Sequence, residues 1–278
     1  MGYRTIVVHL DTSARAHARL ELALHLARHF GAHLTGVFAV YTPNPRSFDV
    51  MSGTSGYFEA HQQVRAERRG ALERLFHAEL QRAQVPGEWH ALEQPATFAV
   101  PRLAHCADLV IAGQDDPQDP EAYVGDHFVE HLVMSAGRPV LLVPHSGSVE
   151  TAGTHVAIAW DGSREAVRAA HDALPFMQAA SRVTVVTVHD VHGETSVHIP
   201  AAGIATVIAR HGINVEIRDV TAAPDASSGE MLLSEAAGLG ADLLVMGAYA
   251  HARWQELVLG GATRTVLRSM SLPVLMSH

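Results

Sequence analysis

The chain has 278 residues, of which 47% are hydrophobic and 18% charged, a composition typical of a globular protein with room for two domains of ordinary size. Its formal net charge is −9, and it has no run of lysine and arginine, which argues against nucleic acid or an anionic membrane as its partner. Its single cysteine, Cys106, excludes an internal disulfide framework and favours a reducing compartment. Because Cys106 lies on an apolar helical stretch, we expect it to pack inertly. The start of the chain has no signal-peptide pattern and no apolar run reaches transmembrane length, so we expect a cytoplasmic protein.

Short apolar runs alternate with amphipathic stretches through the first half of the chain. The runs predict strands at residues 4–10, 33–41, 88–92, 108–113 and 139–143. The amphipathic stretches predict helices at residues 13–30, 59–84, 97–106 and 127–136. Ser13 is expected to start the first helix, and the segment 41–56, rich in Pro, Gly and Ser, is expected to be a loop.

The second half repeats this plan after a small, polar segment at residues 145–154, which we interpret as a linker. Strands are predicted at residues 155–160, 182–189, 214–219, 242–246 and 273–276. Helices are predicted at residues 164–179, 199–211, 229–239 and 262–270.

Three segments of the first half have counterparts in the second half, in the same order. TIVVHLDTS at 5–13 matches HVAIAWDGS at 155–163, ADLVIAG at 107–113 matches ADLLVMG at 241–247, and RPVLLV at 138–143 matches LPVLM at 272–276. The glycine that ends the second segment precedes the proline of the third by 26 residues in both halves. These matches indicate the duplication of one unit.

Strands that alternate with helices indicate parallel sheets covered on both faces. We therefore predict an α/β fold of two repeated Rossmann-like units, each a five-stranded parallel sheet with helices on both faces. The predicted domains are residues 1–146 and 153–278. In such sheets ligands bind beyond the carboxyl ends of the strands, where the strand order reverses. Asp161 and Gly247 lie at two such ends, and the Gly260-Gly261 pair opens a helix whose first N–H groups attract an anion, so we interpret this region as a phosphate site.

The pattern Gly-x2-Gly-x9-Gly-(Ser/Thr) after the DLLVMG strand, with an aspartate closing the first strand, resembles the universal stress protein family. The resemblance covers both halves, so the whole chain is similar to a tandem universal stress protein. In that family the glycine loop holds the phosphates and ribose of ATP, and the aspartate approaches the nucleoside.

The resemblance implies a set of nucleotide-binding residues in the second half. Gly247 and Gly260 match the first and third glycines, Ala250 stands at the second, and Gly261 stands at the Ser/Thr position. Asp161 is the strand-end aspartate, Val188 is the position whose backbone meets adenine, and His251, Arg253 and Thr263 could reach phosphate oxygens. The implied set is Asp161, Val188, Met246, Gly247, Ala250, His251, Arg253, Gly260, Gly261, Ala262 and Thr263. A left-handed turn at Ala250 would cost on the order of 1 kcal/mol.

The first half has lost this pattern. At the same offsets from Gly113, the positions of Ala250, Gly260, Gly261 and Thr263 are taken by Asp116, Asp126, His127 and Val129, while Asp115, Asp119 and Glu121 add negative charge. Carboxylates close to a triphosphate are strongly unfavourable unless a cation such as Mg²⁺ intervenes, and no glycine remains at the later positions of the pattern to let the backbone approach. We expect the first half not to bind ATP, and to serve a structural role or another ligand near residues 41–56.

Three functions remain open for the chain. The first is a nucleotide-binding stress-response module that acts by binding ATP, with or without Mg²⁺; the second is a slow ATPase or self-phosphorylating enzyme; the third is a ligand-free scaffold for dimerisation. Hydrolysis needs a base that positions water and a carboxylate that holds a metal. Glu256 is the single acid of the loop, and Arg264 replaces the absent Walker lysine as the nearest cation. We therefore expect binding rather than turnover, and we assign no catalytic residue.

Two further points concern partners and metals. The last strands of the two halves, 139–143 and 273–276, could pair with each other, which would give an internal pseudo-dimer, and two such chains could also form a homodimer. His189, His192 and His198 form the tightest histidine group, but no cysteine or carboxylate completes an evident metal geometry, so we favour solvated surface side chains over a metal site.

Overall fold

The structure is a computed structural model that describes residues 2–39, 55–119, 123–147, 149–189, 200–223, 226–249 and 261–278, with the backbone alone at residues 55–62. Ten strands and nine helices are formed by these described residues, and we number both in chain order. Among the described helices, none combines the length and the apolar character that a membrane span requires.

The first repeat alternates strands with helices as its sequence predicts. Its strands are β1 (Thr5–Leu10), β2 (His33–Phe38), β3 (Gly87–Ala91), β4 (Leu109–Gly113) and β5 (Val140–Val143). Its described helices are α1 (Ala16–Phe30), α2 (Ser55–Ala83), α3 (Ala96–Ala104) and α4 (Phe128–Ser135). The strand β1 pairs in parallel with β2 and β4, and β2 pairs in parallel with β3, so these four strands lie in the order β3-β2-β1-β4.

The second repeat has the same arrangement. Its strands are β6 (His155–Ala159), β7 (Arg182–His189), β8 (Val215–Thr221), β9 (Leu243–Gly247) and β10 (Val274–Ser277). Its described helices are α5 (Arg164–Asp172), α6 (Leu174–Ala179), α7 (Ala201–Ala209), α8 (Ser228–Leu239) and α9 (Gly261–Ser269). The five strands are all parallel, in the order β8-β7-β6-β9-β10. The predicted α/β class with two repeated Rossmann-like units is confirmed.

The contacts divide the chain into two compact units. One unit consists of Tyr3–Ile111 and Asp115–Leu132, and the other consists mainly of Val133–His278 together with Ala112–Gln114. Inside the latter unit, β5 pairs antiparallel with β10, and Leu141 lies opposite Leu275. The strand β5 therefore ends the first repeat in sequence but packs within the second unit.

Each unit is anchored by the aspartate of its repeated Ala-Asp-Leu sequence. Asp108 accepts hydrogen bonds from the backbone N–H groups of Arg4 and Thr5, at 2.7 and 2.9 Å. Asp242 accepts one from the N–H of His155 at 2.8 Å and others from residues 151–154 just before β6. Burial raises the pKa of Asp242, but these hydrogen bonds outweigh it and hold the pKa below its usual value. The two aspartates thus fix the starts of neighbouring strands, at the end of each sheet opposite to the predicted site.

The predicted single helix over residues 164–179 is wrong, because the structure has two helices there. The helix α5 ends at Asp172, Ala173 follows, and α6 begins at Leu174 with Pro175 in its first turn. A proline inside a helix lacks the N–H of the i to i−4 hydrogen bond, and its ring collides with the carbonyl of the preceding turn. At the start of a new helix the same ring is tolerated, so the chain restarts its helix at the proline.

Two other local predictions are also wrong. Ser13 does not start α1: the N-cap position is Arg15, which makes no side-chain capping bond, and the Ser13 hydroxyl donates instead to Asp11. Cys106 is exposed and lies beyond the end of α3 rather than packed on a helix. In both cases the error concerns where a helix begins or ends: α1 begins at Ala16, and α3 ends at Ala104. Of the predicted loop at residues 41–56, all but the last two residues fall outside the described part of the chain.

Candidate functional site

The switch point of the second repeat lies between β6 and β9. From β6 the chain proceeds through β7 to β8 on one side, and it returns to β9 on the other side of β6. Asp161 follows the end of β6 by two residues, and Gly247 is the last residue of β9. The carboxyl ends of these two strands are adjacent, so Asp161 and Gly247 both lie at the switch point, the place where doubly wound sheets bind ligands.

The sequence Asp161-Gly162-Ser163 builds the turn from β6 into α5. The Asp161 carboxylate accepts a hydrogen bond from the Ser163 N–H at 2.9 Å, and Gly162 takes a left-handed φ of 76°. The Ser163 hydroxyl oxygen then accepts from the Ala166 N–H at 3.1 Å, which caps α5. The Asp161 side chain remains exposed at the crevice, where a ligand can approach it.

Gly247 is required by the packing of α5. A Cβ at this position would lie 2.5 Å from the Ala166 nitrogen and 2.6 Å from the Glu165 carbonyl carbon, which is closer than real contacts allow. The first turn of α5 therefore rests directly on the end of β9. Glycine is needed at position 247 because a larger residue would collide with the first turn of α5.

We expect Gly247→Ala to destabilise the chain by about 1–3 kcal/mol, because the added methyl group meets backbone that cannot rotate away. The matched variant Gly261→Ala is expected to be neutral or to stabilise by about 0.5–1 kcal/mol, because a Cβ at Gly261 would meet no described atom within 4 Å and alanine favours a helix. Urea unfolding followed by circular dichroism would measure both. Equal effects of the two variants would contradict the packing role of Gly247.

The start of α9 is tied to the same strand end. The Tyr249 N–H, two residues beyond Gly247, donates to the Thr263 Oγ1 at 3.3 Å, and Thr263 is 4% exposed. Tyr249 adopts a left-handed φ of 63°. Gly261 is exposed, and no acidic residue occupies the first turn of α9. The first N–H groups of a helix have no acceptor within it, so this turn presents donors to an anion.

The remaining predicted site residues are placed as follows. Val188 is partly buried near the end of β7, the neighbour of β6, and Ala262 is partly buried in α9. The Met246 side chain is 4% exposed and belongs to the core, so only its backbone faces the crevice region. The predicted residues outside the described part of the chain are Ala250, His251, Arg253 and Gly260.

The corresponding aspartate of the first repeat is buried and already bound. Asp11 is 4% exposed, and its Oδ2 accepts from the Arg19 Nη1 at 2.9 Å. Its other oxygen accepts from the N–H and the hydroxyl of Ser13. Burial raises the pKa of Asp11, but the Arg19 charge, with help from the Ser13 hydrogen bonds, holds the pKa below its usual value. The Asp11 carboxylate is therefore bound by Arg19 and Ser13, whereas the Asp161 carboxylate is exposed.

A buried histidine completes this closed arrangement. His9 is 0% exposed, and its Nε2 donates to the Ala39 carbonyl oxygen at 2.7 Å. Burial lowers the pKa of His9 to about 4, so the ring is neutral at pH 7. The Arg19 guanidinium also donates to the His9 carbonyl oxygen at 2.9 Å. At the equivalent positions of the second repeat, His9 is replaced by Ala159 and Arg19 by Ala169.

Two acidic residues of the first repeat also accept hydrogen bonds from backbone N–H groups. Asp119 accepts a hydrogen bond from the Ala14 N–H at 3.2 Å, just before α1. Asp116 accepts one from the Gln118 N–H at 2.9 Å within its own loop. These contacts support the expectation that the first repeat has no place for a nucleotide phosphate.

Sequence reasoning missed three residues that shape the two crevices. Arg19 could have been found, because it stands eight residues after Asp11 whereas Ala169 stands eight residues after Asp161. Glu165 could have been noticed as an acid in the first turn of a helix. Tyr249 gave no signal, since tyrosine has no preference for a left-handed backbone.

Of the histidine group that was considered for a metal, one member lies in the described part of the chain. His189 lies 3.4 Å from Asp219, while His192 and His198 fall outside the described residues. Within the described ranges, no group of three His, Cys, Asp or Glu side chains stands close enough to hold a metal ion.

A parallel sheet with a crevice at its switch point, built twice along one chain, defines a class of duplicated α/β proteins. The sequence profile of the Universal stress protein family matches this chain twice, over residues 2–144 and 154–278. The chain belongs to the universal stress protein family, and it carries two such domains in tandem.

The chain is also similar to individual proteins, one in sequence and others in fold. A universal stress protein of Synechocystis sp. is 27% identical over 175 residues, and the match covers 60% of this chain and 57% of that relative, so the chain spans little more than half of its length. A universal stress protein from Archaeoglobus fulgidus has a TM-score of 0.71 at 15% identity, covering 98% of this chain and 95% of that one. A protein of unknown function from Pseudomonas aeruginosa has a TM-score of 0.59 at 15% identity, covering 99% of this chain and 92% of that one.

Proposed function

We propose that the second repeat binds an adenine nucleotide, ATP, at the carboxyl ends of β6 and β9, and that the chain serves a cytoplasmic stress response by binding rather than by turnover. One observation carries this proposal. Asp161 is exposed at its switch point, whereas Asp11, at the equivalent point, is 4% exposed and bound to Arg19. Among the described residues, the carboxylate of Asp161 is left for a ligand, whereas that of Asp11 is bound by the protein's own side chains.

The two helix starts at the crevice suggest where the phosphates lie. The start of α5 is already served by the Ser163 cap and by the Glu165 carboxylate in its first turn. The described first turn of α9 has no acidic residue, and a Cβ at Gly261 would meet no described atom within 4 Å. Negative charge is stabilised at such a helix start, so we place the phosphates at α9 and the nucleoside towards Asp161 and Val188.

Binding is preferred to hydrolysis because of the acids around the crevice. Hydrolysis needs a carboxylate that holds a metal ion near the terminal phosphate and a group that orients water. Glu165, which packs against Gly247, is 6% exposed and accepts two hydrogen bonds from Arg164. Asp161 holds the Ser163 N–H at the nucleoside end of the proposed site.

Isothermal titration calorimetry of the full chain with ATP tests the proposal through its stoichiometry. We expect one ATP per chain, since the first repeat is closed, and native mass spectrometry should find the same ratio in protein purified without added nucleotide. Two ATP molecules per chain would contradict the closed first repeat. No binding would instead favour the ligand-free scaffold, and steady release of phosphate from bound ATP would favour the enzyme.

A further inference from the structure

An exposed arginine rests on a buried carboxylate at the edge of the crevice. The Arg164 Nε and Nη2 both donate to the Glu165 Oε1, at 3.0 and 2.8 Å. The Arg164 side chain is 83% exposed, whereas that of Glu165 is 7% exposed. The buried carboxylate therefore binds the guanidinium through two hydrogen bonds, while most of the arginine side chain is exposed to solvent.

Two contacts of the same strand end connect this pair to the proposed phosphate site. The first turn of α5 packs against Gly247, the last residue of β9. Two residues further on, Tyr249 is hydrogen-bonded to Thr263 in the first turn of α9. The arginine at the start of α5 and the open start of α9 thus flank one short segment, Gly247 to Tyr249.

The guanidinium keeps donors for a ligand after it has bound Glu165. It carries five N–H groups, and its two hydrogen bonds to the Glu165 Oε1 leave three of them, including both on Nη1, as far as the described residues are concerned. Phosphate oxygens are acceptors that a guanidinium binds in a charge-assisted, often bidentate, manner. Since Glu165 already restrains the side chain, less conformational entropy is lost when Arg164 contacts an anion.

The pair occurs in the repeat whose crevice is open. At the equivalent positions of the first repeat, Arg164 is replaced by Ala14 and Glu165 by Arg15. There the crevice is closed by the ion pair of Asp11 and Arg19. The Arg164–Glu165 pair therefore occurs in the same repeat as the exposed strand-end aspartate, Asp161.

We propose that Arg164, positioned by Glu165, contacts the outer phosphates of the nucleotide and makes the site select polyphosphates over nucleosides. This inference rests on the proposed function of the second repeat. Arg164 contributes little to adenosine binding and increasingly more to the binding of ADP and ATP, because its contact begins beyond the first phosphate.

Calorimetric titration of adenosine, AMP, ADP and ATP into the full chain tests the assignment. We expect Arg164→Gln to weaken ATP binding by about tenfold or more, as for a lost charge-assisted contact, and to change adenosine binding by less than about twofold. Arg164→Lys should give an intermediate loss for ATP, because it keeps the charge without the planar fork. Circular dichroism confirms that each variant is folded.

Arg168→Gln is the matched control. Arg168 lies one turn further along α5, its side chain is 45% exposed, and it pairs with Asp172 at 3.6 Å, so its removal changes the net charge equally. We expect it to leave the ratio of ATP to adenosine affinity unchanged. An unchanged ratio in Arg164→Gln, or an equal loss for all four ligands, would overturn the role of Arg164 while leaving nucleotide binding intact. Failure of the unmutated chain to bind any of the four would refute the proposed function itself, and the inference with it.

Discussion

Arg19→Ala is expected to destabilise the chain by about 3–5 kcal/mol, the cost of leaving one member of a buried ion pair without its partner. Arg19 is 3% exposed and Asp11 is 4% exposed, so water cannot replace the lost guanidinium without opening the first repeat. The variant also removes the donor to the His9 carbonyl oxygen. Urea unfolding monitored by circular dichroism would measure the loss.

Two further variants separate the ion pair from the loss of a large side chain. Adding Asp11→Ala to Arg19→Ala is expected to recover part of the stability, because the double variant no longer buries an uncompensated charge. Arg82→Ala is the surface control: its side chain is 70% exposed in an ion pair with Glu79, and we expect a loss below about 1 kcal/mol. If the double variant were less stable than Arg19→Ala, the two side chains would not act as a pair.

The same ion pair gives a pH dependence with a definite sign. The pKa of Asp11 in the folded chain lies below its usual value, so Asp11 contributes stability above the unfolded pKa of about 3.9, and this stability is lost as the pH falls through the folded pKa. In Arg19→Ala the burial of Asp11 is no longer offset by the guanidinium, so protonation relieves its charge. The stability difference between the two proteins should therefore narrow as the pH falls. The narrowing begins above the unfolded pKa of about 3.9, where the variant's Asp11 takes up its proton, and continues below it through the folded pKa of Asp11 in the unmutated chain.

Gly261→Asp is expected to abolish ATP binding while the chain stays folded. A Cβ at Gly261 would meet no described atom within 4 Å, so the new side chain fits without displacing its neighbours. A carboxylate in the first turn stabilises a helix by about 0.3–1 kcal/mol, which favours the folded state. The same carboxylate would stand where the phosphates are proposed to bind, and two like charges a few Å apart repel strongly in a partly buried crevice.

The matched control is Gly203→Asp, which makes the same substitution elsewhere in the second repeat. Gly203 is exposed in the first turn of α7, and a Cβ there would likewise meet no described atom within 4 Å. Calorimetry should give unchanged ATP affinity for Gly203→Asp and no measurable heat for Gly261→Asp. Retained affinity in Gly261→Asp would show that α9 does not hold the phosphates, even if ATP binds elsewhere on the chain.

The architecture could be predicted from the sequence because it depends on patterns that repeat. The apolar runs that become β4 and β9 have four buried residues each, as strands covered on both faces require. Because the chain is duplicated, each apolar run has a counterpart in the other half, and the two copies support the same prediction. Element ends were predicted less well, because Ser13 and Pro175 act through side-chain and backbone contacts that periodicity does not record.

The candidate site could be located from the sequence but its contacts could not. Gly247 was singled out as a small residue that admits a ligand, whereas the structure shows the start of α5 against it. Thr263 was expected to offer its hydroxyl to a phosphate, and in the structure that oxygen accepts from the Tyr249 N–H. A sequence shows that a position is small or polar, but it does not show which other segment approaches that position.

The difference between Asp11 and Asp161 shows the same limit. The two residues occupy equivalent positions at the ends of equivalent strands, and their own sequence contexts are alike. Their environments are decided by a residue eight positions further along the chain, in the next helix, which is Arg19 in one repeat and Ala169 in the other. Such a pair becomes visible only when the helix is known to pack its buried face beside the strand end.

The antiparallel pairing of β5 with β10 has a consequence for why the chain retains a repeat whose crevice is closed. Deleting the first repeat would strip β10 of this neighbour and leave a row of unsatisfied N–H and C=O groups, a template for unwanted association. Because the covering strand is supplied by the same polypeptide, this protection is independent of protein concentration. The strand β5 thus covers the edge of β10 whether or not the first repeat binds a ligand.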